Sequence, residues 1–412
     1  MCARFLSLLP ALGAIAALSA CSPMGTPAPA PAPADPATIH ARILTLDTHL
    51  DTPVHFERRD WDFGAAHDFY SDMSQVDLPR MTEAGLDGGF FVLYTSQGPL
   101  SAEGFAHAAS AAEHRLAAIE TTLNVHRDTI TRVTSAGEAA RVASHGGHFA
   151  LISVENSYPL GESVAGLADW RRRGVLMAGP VHNGGNQFGD SASGGTARWG
   201  GLSPLGRAWV AEMNRLGMII DASHASDAAL AQMLDLSAAP IILSHSGFKA
   251  IFDHPRNISD DQARAIAAKG GVIQVNSVFL SRLNISAARS PLYDRFDNIG
   301  ALNNAEVRAL GSAWRTLDQS ERVNEGDFDL FMRALFLCID IVGADHCGIG
   351  ADWDGGAGMR GFEDIRVAPR ITAALLAHGL TEEQVAQIWG GNVLRLLNDA
   401  QIVRNRLIRN AK

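Results

Sequence analysis

Eight short apolar runs recur along the chain, and this recurrence restricts the folds open to it more than any other feature. Within each run the apolar residues follow one another without alternation, which is typical of strands covered on both faces of a sheet. The candidate strands are Ile43–Leu46, Gly89–Tyr94, Phe149–Val154, Val175–Ala178, Met218–Ala222, Pro240–Leu243, Gly271–Val275 and Cys347–Gly350. The pattern therefore predicts a parallel sheet that is buried on both sides.

Helical patterns separate these strands, so the chain alternates between the two kinds of element. The clearest helices are Ala102–Val125, Pro204–Leu216 (with Ser203 as its expected N-cap), Asp227–Leu236 and Ser259–Lys269. The repeated alternation predicts an α/β fold, a (β/α)8 TIM-type barrel. An open doubly wound sheet is the alternative, but no G-x-G-x-x-G fingerprint follows the first strand.

The alternation is interrupted before the last strand. The segment 284–325 is polar and irregular, so we interpret residues 278–330 as an insertion with helical pieces. We expect this insertion to cover the mouth of the barrel, because the loops that follow barrel strands gather at that end.

The first 36 residues are typical of a targeting segment. Residues 1–20 combine Arg4 with an apolar run, as in a secretory signal peptide, and the run is short for a membrane span. The sequence Leu18-Ser19-Ala20-Cys21 looks like a bacterial lipobox, which implies cleavage before Cys21 and lipidation of its thiol. Residues 21–36 form a Pro/Ala-rich linker, and the barrel is expected over residues 37–408.

These targeting features predict an exported, periplasmic lipoprotein that meets the membrane only through its lipid anchor. Ser22, and not Asp, follows the cysteine, which favours the outer membrane by analogy with such lipoproteins. The alternative is an ordinary signal peptide in which Cys21 is a chance cysteine.

Composition argues against two further classes of function. The formal net charge is −10 and no basic run occurs, so nucleic acid is not an expected partner. The four cysteines form no C-x-x-C pair, which excludes a zinc finger.

Cys338 and Cys347 lie in apolar segments, and there we expect two buried free thiols and no disulfide.

Side chains that bind metals follow the candidate strands, at the end where TIM barrels carry their chemistry. Only 15 of the 412 residues are His, yet His follows four strands and a carboxylate follows three. Imidazole nitrogen and carboxylate oxygen suit zinc, and a carboxylate can bridge two ions. The pattern predicts a metal site formed by His49, Asp51, Glu155, His182, His224, His245 and Asp352.

These segments resemble the membrane dipeptidase (renal dipeptidase) family of zinc peptidases, and the resemblance covers nearly all of residues 40–400. Its most specific block runs from Glu212 to Met218 (EMNRLGM) and ends at Ser223-His224. The resemblance implies a barrel of the metal-dependent hydrolase kind, in a bacterial lipoprotein member of the family. The other similar stretches are 46–53, 75–81, Ser153-Val154-Glu155, His182-Asn183, Ser244-His245-Ser246, Arg256-Asn257 and 348–355.

The resemblance also implies a metal-ligand set and a cofactor. By this similarity His49 and Asp51 bind one zinc ion, His224 and His245 bind a second, and Glu155 bridges the two. The expected content is two zinc ions per chain, which together lower the pKa of a bridging water to give a hydroxide that attacks the peptide carbonyl.

Three residues are implied to act on the substrate. His182 contacts it as the candidate oxyanion donor, and Arg256 is the clamp for a free C-terminal carboxylate. Asp352 contacts the substrate and shuttles the proton of the bridging hydroxide to the leaving amine. The implied activity is hydrolysis of dipeptides, including those with a C-terminal D-residue, by an enzyme that is a homodimer.

The chain departs from the family pattern in loops that face the substrate. Asn156-Ser157-Tyr158 stands where the family has Gly-Gly-His, and Gly184 replaces a common Cys. A related amidohydrolase acting on another amide or ester is therefore the alternative function. A non-catalytic surface-binding lipoprotein would require lost ligands, and none is lost. Neither a G-x-S-x-G elbow nor an H-E-x-x-H motif is present.

Overall fold

The computed structural model describes residues 35–410. The signal peptide, Cys21 and the linker up to Ala34 were predicted in a part of the chain outside these residues. The described segment has ten strands: β1 Leu46–Leu50, β2 Gly88–Tyr94, β3 Ile130–Arg132, β4 His148–Glu155, β5 Val175–Ala178, β6 Ile219–Ile220, β7 Ile242–Phe248, β8 Asn257–Ile258, β9 Val272–Val275 and β10 Cys347–Ile349.

Eight of these strands form a closed parallel barrel. They pair in the orders β1-β2-β4-β5-β6 and β10-β9-β7. Of the other two strands, β3 pairs with β4 and β8 pairs with β7. Single parallel bridges join the two sheets, one between Asp221 and Ile242 and one between Leu50 and Trp353. The barrel predicted from the sequence is therefore confirmed.

All eight predicted strands are present, but the first and the sixth were misplaced along the chain. The first strand begins at Leu46 because Ile43 belongs to the helical turn before it, where its N–H donates to the Ile39 carbonyl at 3.2 Å. Strand β7 extends to Phe248, beyond the predicted end at Leu243. As a result His49 and His245 lie within strands, at positions where the strand register shifts and where their N–H groups donate to the side chains of Asp47 and Ser223.

Helices surround the barrel, and many of them begin at a side-chain cap. Ser203 accepts from the Gly206 N–H at 3.0 Å, as predicted, and Gly217 ends the same helix with φ 68°. The helices are α1 Pro36–His40, α2 Pro53–Phe56, α3 Phe69–Asp72, α4 Leu78–Ala84, α5 Ala102–Val125, α6 Ala136–Ser144, α7 Gly166–Arg172, α8 Pro204–Leu216, α9 Asp227–Leu236, α10 Asp260–Ala268, α11 Ser290–Phe296, α12 Asn304–Asp318, α13 Phe328–Val342, α14 Ala368–Ala377, α15 Glu382–Ala386 and α16 Asn392–Asn410.

The amino-terminal end of the barrel is closed by apolar packing. Val393, Leu396 and Leu397 of α16 join a buried cluster with strand residues such as Leu46 and Ile219. The cavity that holds the candidate ligands lies at the other end, where TIM barrels carry their chemistry.

The insertion contains α11 and α12 and packs on the segment that follows β1. Val307, Leu310 and Trp314 form a small apolar cluster with Met73 and Ile299. Gly311 allows this close approach, because a Cβ there would overlap the Tyr70 carbonyl. The insertion is thereby fixed beside the carboxyl end of the barrel.

Cys338 and Cys347 form a disulfide, so the prediction of two free thiols was wrong. Cys338 lies on α13 and Cys347 opens β10, and the short connection between them reverses the chain. The two Cα atoms are consequently 6.0 Å apart, within the range that a disulfide spans. The apolar surroundings that suggested free thiols bury the bond completely.

Within residues 35–410, the helices are each too short or too polar to cross a membrane.

The disulfide closes a loop of sequence separation 9, so its removal is expected to destabilise the fold modestly. We predict that changing both cysteines to alanine lowers the free energy of unfolding by about 2–3 kcal/mol, through the added chain entropy of the unfolded state. Denaturant unfolding with and without reductant measures this. If the oxidised wild type and the double variant had the same denaturation midpoint, the disulfide would be contradicted.

Candidate metal centre

The ligands predicted from the sequence meet at the carboxyl end of the barrel. His49 lies in β1 and Asp51 directly after it, at alternate positions, so both side chains point the same way. Their nearest atoms, His49 Nε2 and Asp51 Oδ2, are 3.4 Å apart. Glu155 ends β4, and His245 lies inside β7.

The Glu155 carboxylate is the centre of the cluster. Its Oε1 lies 2.9 Å from Nε2 of His224, 3.4 Å from Nε2 of His245 and 3.6 Å from Nε2 of His49. Nε2 of His182 is slightly farther, at 3.9 Å. Four imidazoles from four strands or strand ends thus converge on one buried carboxylate.

Three groups of side chains bring ligand atoms within 4.8 Å of one another, which is close enough to share an ion. They are His49 with Glu155 and His245, then Glu155 with His182 and His224, and His49 with Asp51 and Asp352. Glu155 and His49 each belong to two of the groups. His224 and His245 fall in different groups, although their Nε2 atoms are only 2.9 Å apart.

A buried network around Asp221 orients His245. Asp221 accepts from the backbone N–H groups of Ser223 and Ser244, both at 3.0 Å, and from the Ser244 hydroxyl at 2.5 Å. Because the Ser244 hydroxyl donates to Asp221, it can accept from Nδ1 of His245, 2.9 Å away. The Nε2 lone pair of His245 is then left for a metal.

Asp47 positions His49 and the segment after β10. Its carboxylate accepts from the His49 N–H at 2.8 Å and from the Ala351 N–H at 3.0 Å. Asp352 follows with φ 71°, a left-handed conformation that is uncommon outside glycine. Gly355 lies against the site, where a Cβ would overlap the carboxylates of Asp51 and Asp352.

The electrostatics of the cluster favour a bound cation. Burial alone would raise the pKa of Glu155, but nearby His182 and His49 outweigh it and hold this pKa well below its usual range. Burial lowers the pKa of His224 and of His245 far below that of free imidazole, and positive neighbours add to the shift. The site therefore offers an ionised Glu155 carboxylate and neutral imidazoles at His224 and His245, the forms that ligate metals.

The pKa of Asp352 shifts in the opposite direction to that of Glu155. Burial raises its pKa to about 8, opposed by His49 and reinforced by the negative charge of Asp51. This carboxyl can therefore hold a proton near neutral pH, as a general acid or base must.

A cavity of about 410 Å³ opens above the cluster, and we call it the metal cavity. Asp51, Glu155, His182 and Asp352 line it together with wall residues from outside the barrel. The insertion supplies Phe296, Asp297 and Asn298, and α5 supplies Arg115. The insertion thus borders the mouth.

Arg256 lies beside the cluster but is not among the residues that line the metal cavity. Its guanidinium donates to the carbonyl oxygens of Ser223 and, at 3.3 Å, His245, and its Nε has no partner in the described part of the chain. Burial lowers its pKa to about 10, opposed by Glu155 and Asp352, so it stays charged at neutral pH. The positive charge of Arg256 therefore lies against the backbone next to His224 and His245, outside the lining of the metal cavity.

Sequence reasoning missed part of the site. Asp221 supports the candidate ligand His245 through Ser244, and its position three residues before His224 was a usable signal. Tyr94 pairs in register with Glu155 at the end of β2, which strand alignment could have shown. Arg115 and Asp297 come from a helix and the insertion, and no local pattern marks them as cavity residues.

Comparison with known proteins agrees with this geometry. The family described as membrane dipeptidase (peptidase family M19) matches residues 34–410. Dipeptidase tcpJ of Claviceps purpurea is 28% identical over 367 residues, which cover 87% of this chain and 77% of that protein. Dipeptidase aclJ of Aspergillus oryzae is 27% identical over 338 residues, 81% of this chain and 72% of that protein.

Two solved structures are similar in fold. The probable dipeptidase PvdM from Pseudomonas aeruginosa has a TM-score of 0.76 and 28% identity, covering 89% of this chain and 98% of that one. A metallopeptidase from Rhodobacter sphaeroides, liganded with a phosphinate mimic of the dipeptide L-Ala-D-Ala, has a TM-score of 0.66 and 23% identity, covering 87% and 99%.

The central place of Glu155 predicts that metal binding depends on its charge. We expect the Glu155→Gln variant, which keeps the size of the side chain, to retain little of the metal that the wild type carries. Metal analysis of purified protein measures this, with Glu162→Gln as the matched control because Glu162 is exposed in the loop after the same strand. Equal metal content in both variants would contradict the assignment.

Proposed function

The chain belongs to the membrane dipeptidase family and is a metallo-dipeptidase, and we propose that it holds two zinc ions and hydrolyses small dipeptides, including those with a C-terminal D-residue. The observation that carries this proposal is the convergence of four imidazoles and three carboxylates at the carboxyl end of the barrel. The C-terminal D-residue is included because a relative of the same fold holds a mimic of L-Ala-D-Ala.

The donor set fits zinc. Nε2 of His49 is buried and has no hydrogen-bond partner among residues 35–410, which is costly unless a ligand satisfies it. Imidazole nitrogens with carboxylate oxygens are the ligands that zinc takes in hydrolases. We assign His49 and Asp51 to one ion, His224 and His245 to the other, and Glu155 to both.

When bound, the two zinc ions would supply Lewis acidity, polarising the scissile carbonyl and lowering the pKa of a nucleophilic water. Asp352 would accept a proton on its carboxylate and deliver it to the leaving amine nitrogen. Asp352 lies within ligand distance of His49 and Asp51 and lines the metal cavity, so it is placed for this transfer.

His182 would donate from its imidazole to the substrate's carbonyl oxygen as negative charge develops there. Its side chain reaches the metal cavity, and its ring packs edge-on against Tyr94 with centroids 4.9 Å apart. That contact fixes the ring before the substrate arrives, which is the condition for strong stabilisation of developing charge.

Arg256 would attract the substrate's C-terminal carboxylate. Its charge is buried beside the ligands and is shared with two backbone carbonyls, so direct contact requires it to exchange one of those partners. A fixed distance between this charge and the metals would restrict substrates to dipeptides.

We also propose that the protein is exported and held by a lipid on Cys21, with the barrel outside the cytoplasm. The support is the Leu18-Ser19-Ala20-Cys21 sequence together with the Cys338–Cys347 disulfide, since disulfides persist in oxidising compartments. The outer membrane and a homodimer remain predictions from the sequence.

The proposed roles predict different kinetic losses at Asp352 and Arg256. Asp352→Asn should lower kcat for L-Ala-L-Ala and L-Ala-D-Ala by about 10²- to 10⁴-fold, because a proton carrier is lost while the metals stay bound. Arg256→Lys should instead raise KM more than it lowers kcat, since it weakens a carboxylate contact. Steady-state kinetics with metal analysis of each variant measure both effects.

Asp345→Asn is the matched control, because Asp345 is exposed at the opposite end of β10 from Asp352. Full activity in Asp352→Asn would remove its assigned role. Zinc-loaded wild type that cleaves no dipeptide in an L,L- and L,D-panel, yet cleaves another amide or ester, would contradict the dipeptidase proposal itself.

The anchor makes a separate prediction for cells. In a Gram-negative host the wild type should take up labelled palmitate and sediment with membranes, while Cys21→Ser should do neither. A wild type that stays soluble and unlabelled would show that Cys21 is not lipidated.

A further inference from the structure

A second cavity of about 480 Å³ lies next to the metal cavity, and we call it the annex. Tyr94, Ser96, Arg115 and Asp297 line both cavities, so the two share a wall. A dipeptide whose peptide bond lies at the metals could therefore extend one side chain past this wall into the annex.

The floor of the annex is made of small side chains. Ala108 and Ala111 lie there on α5, flanked by His107 and His114 of the same helix. Larger residues at these two positions would occupy the space. The helix thus leaves room for a side chain that a dipeptide such as Ala-Ala does not have.

The charges around the annex do not cancel. Arg115 is engaged by Glu57, with Nε to Oε1 at 2.9 Å and Nη2 to Oε2 at 3.0 Å. The carboxylate of Asp297, by contrast, has no cationic side chain within 4.0 Å in the part of the chain that the structure describes. One negative charge therefore faces the annex unbalanced.

The remaining polar groups are also suited to a donor. His107 and His114 line the annex at exposed positions, and an imidazole nitrogen can accept one hydrogen bond. A side chain ending in a primary amine or guanidinium would pair with Asp297 and donate to these rings.

We propose that the annex is a specificity subsite for a dipeptide side chain that ends in a cation, with Asp297 as its determinant. This inference rests on the proposed dipeptidase function and names the substrates that the site favours. An acidic side chain fits less well, because Asp297 would repel it and Arg115 is already paired with Glu57.

The test compares substrates of matched length and different charge. Steady-state kcat/KM is measured for Lys-Ala against Met-Ala and for Ala-Lys against Ala-Met, with Ala-Ala as the reference. Assays run at pH 8, at which free imidazole is uncharged. In one of the two pairs, the wild type should have a higher kcat/KM for the lysine peptide than for the methionine peptide.

Asp297→Asn should reduce that lysine-to-methionine ratio by about fivefold, the upper end for one partly exposed ion pair. Asp294→Asn is the matched control, because it removes the same charge one turn earlier at an exposed position outside both cavities, and its ratio should equal that of the wild type. Ala111→Leu fills the annex without changing charge and should lower Lys and Met peptides alike relative to Ala-Ala.

Three results would overturn the inference. They are a wild-type ratio near one for both pairs, an Asp297→Asn loss that is equal for all peptides including Ala-Ala, and an Ala111→Leu variant with unaltered selectivity. Cleavage of Ala-Ala with no charge preference refutes only the annex, whereas cleavage of no dipeptide at all refutes the proposed function as well.

Discussion

The carboxylate of Glu155 is removed from water and surrounded by imidazole, and the rest of the site depends on this arrangement. Only 6% of Glu155 is exposed, yet burial does not neutralise it, because His182 and His49 lower its pKa. A buried negative charge is stable only with positive charge nearby. Bound metal ions would supply that charge and leave the imidazoles neutral, as ligands must be.

The barrel makes this arrangement possible by bringing distant residues to one place. His49, Glu155 and His245 are far apart in sequence, but parallel strands end at the same face. Behind them, Asp47 and Asp221 accept backbone and hydroxyl hydrogens, which fixes the ligand side chains before a metal arrives. Apolar packing by α16 closes the opposite end of the barrel, so the chemistry has a single face.

Much of this could be predicted from the sequence because it follows from local rules. The eight apolar runs gave the barrel strands, and the residues after them gave the ligand cluster. The rest depends on contacts between distant segments. The Cys338–Cys347 bond requires knowing that the chain reverses after α13, and the wall made by Arg115 and Asp297 requires knowing where α5 and the insertion pack. Neither the disulfide nor this wall produces a periodic pattern in the sequence.

The central claim is that Glu155 lies between two metal ions. The most direct measurement is X-ray diffraction from crystals of the zinc-loaded protein on both sides of the zinc absorption edge. The account predicts two anomalous peaks that flank the Glu155 carboxylate, one against His49 and Asp51 and one against His224 and His245. A single peak, peaks that leave Glu155 uncoordinated, or no peak at this face of the barrel would contradict it.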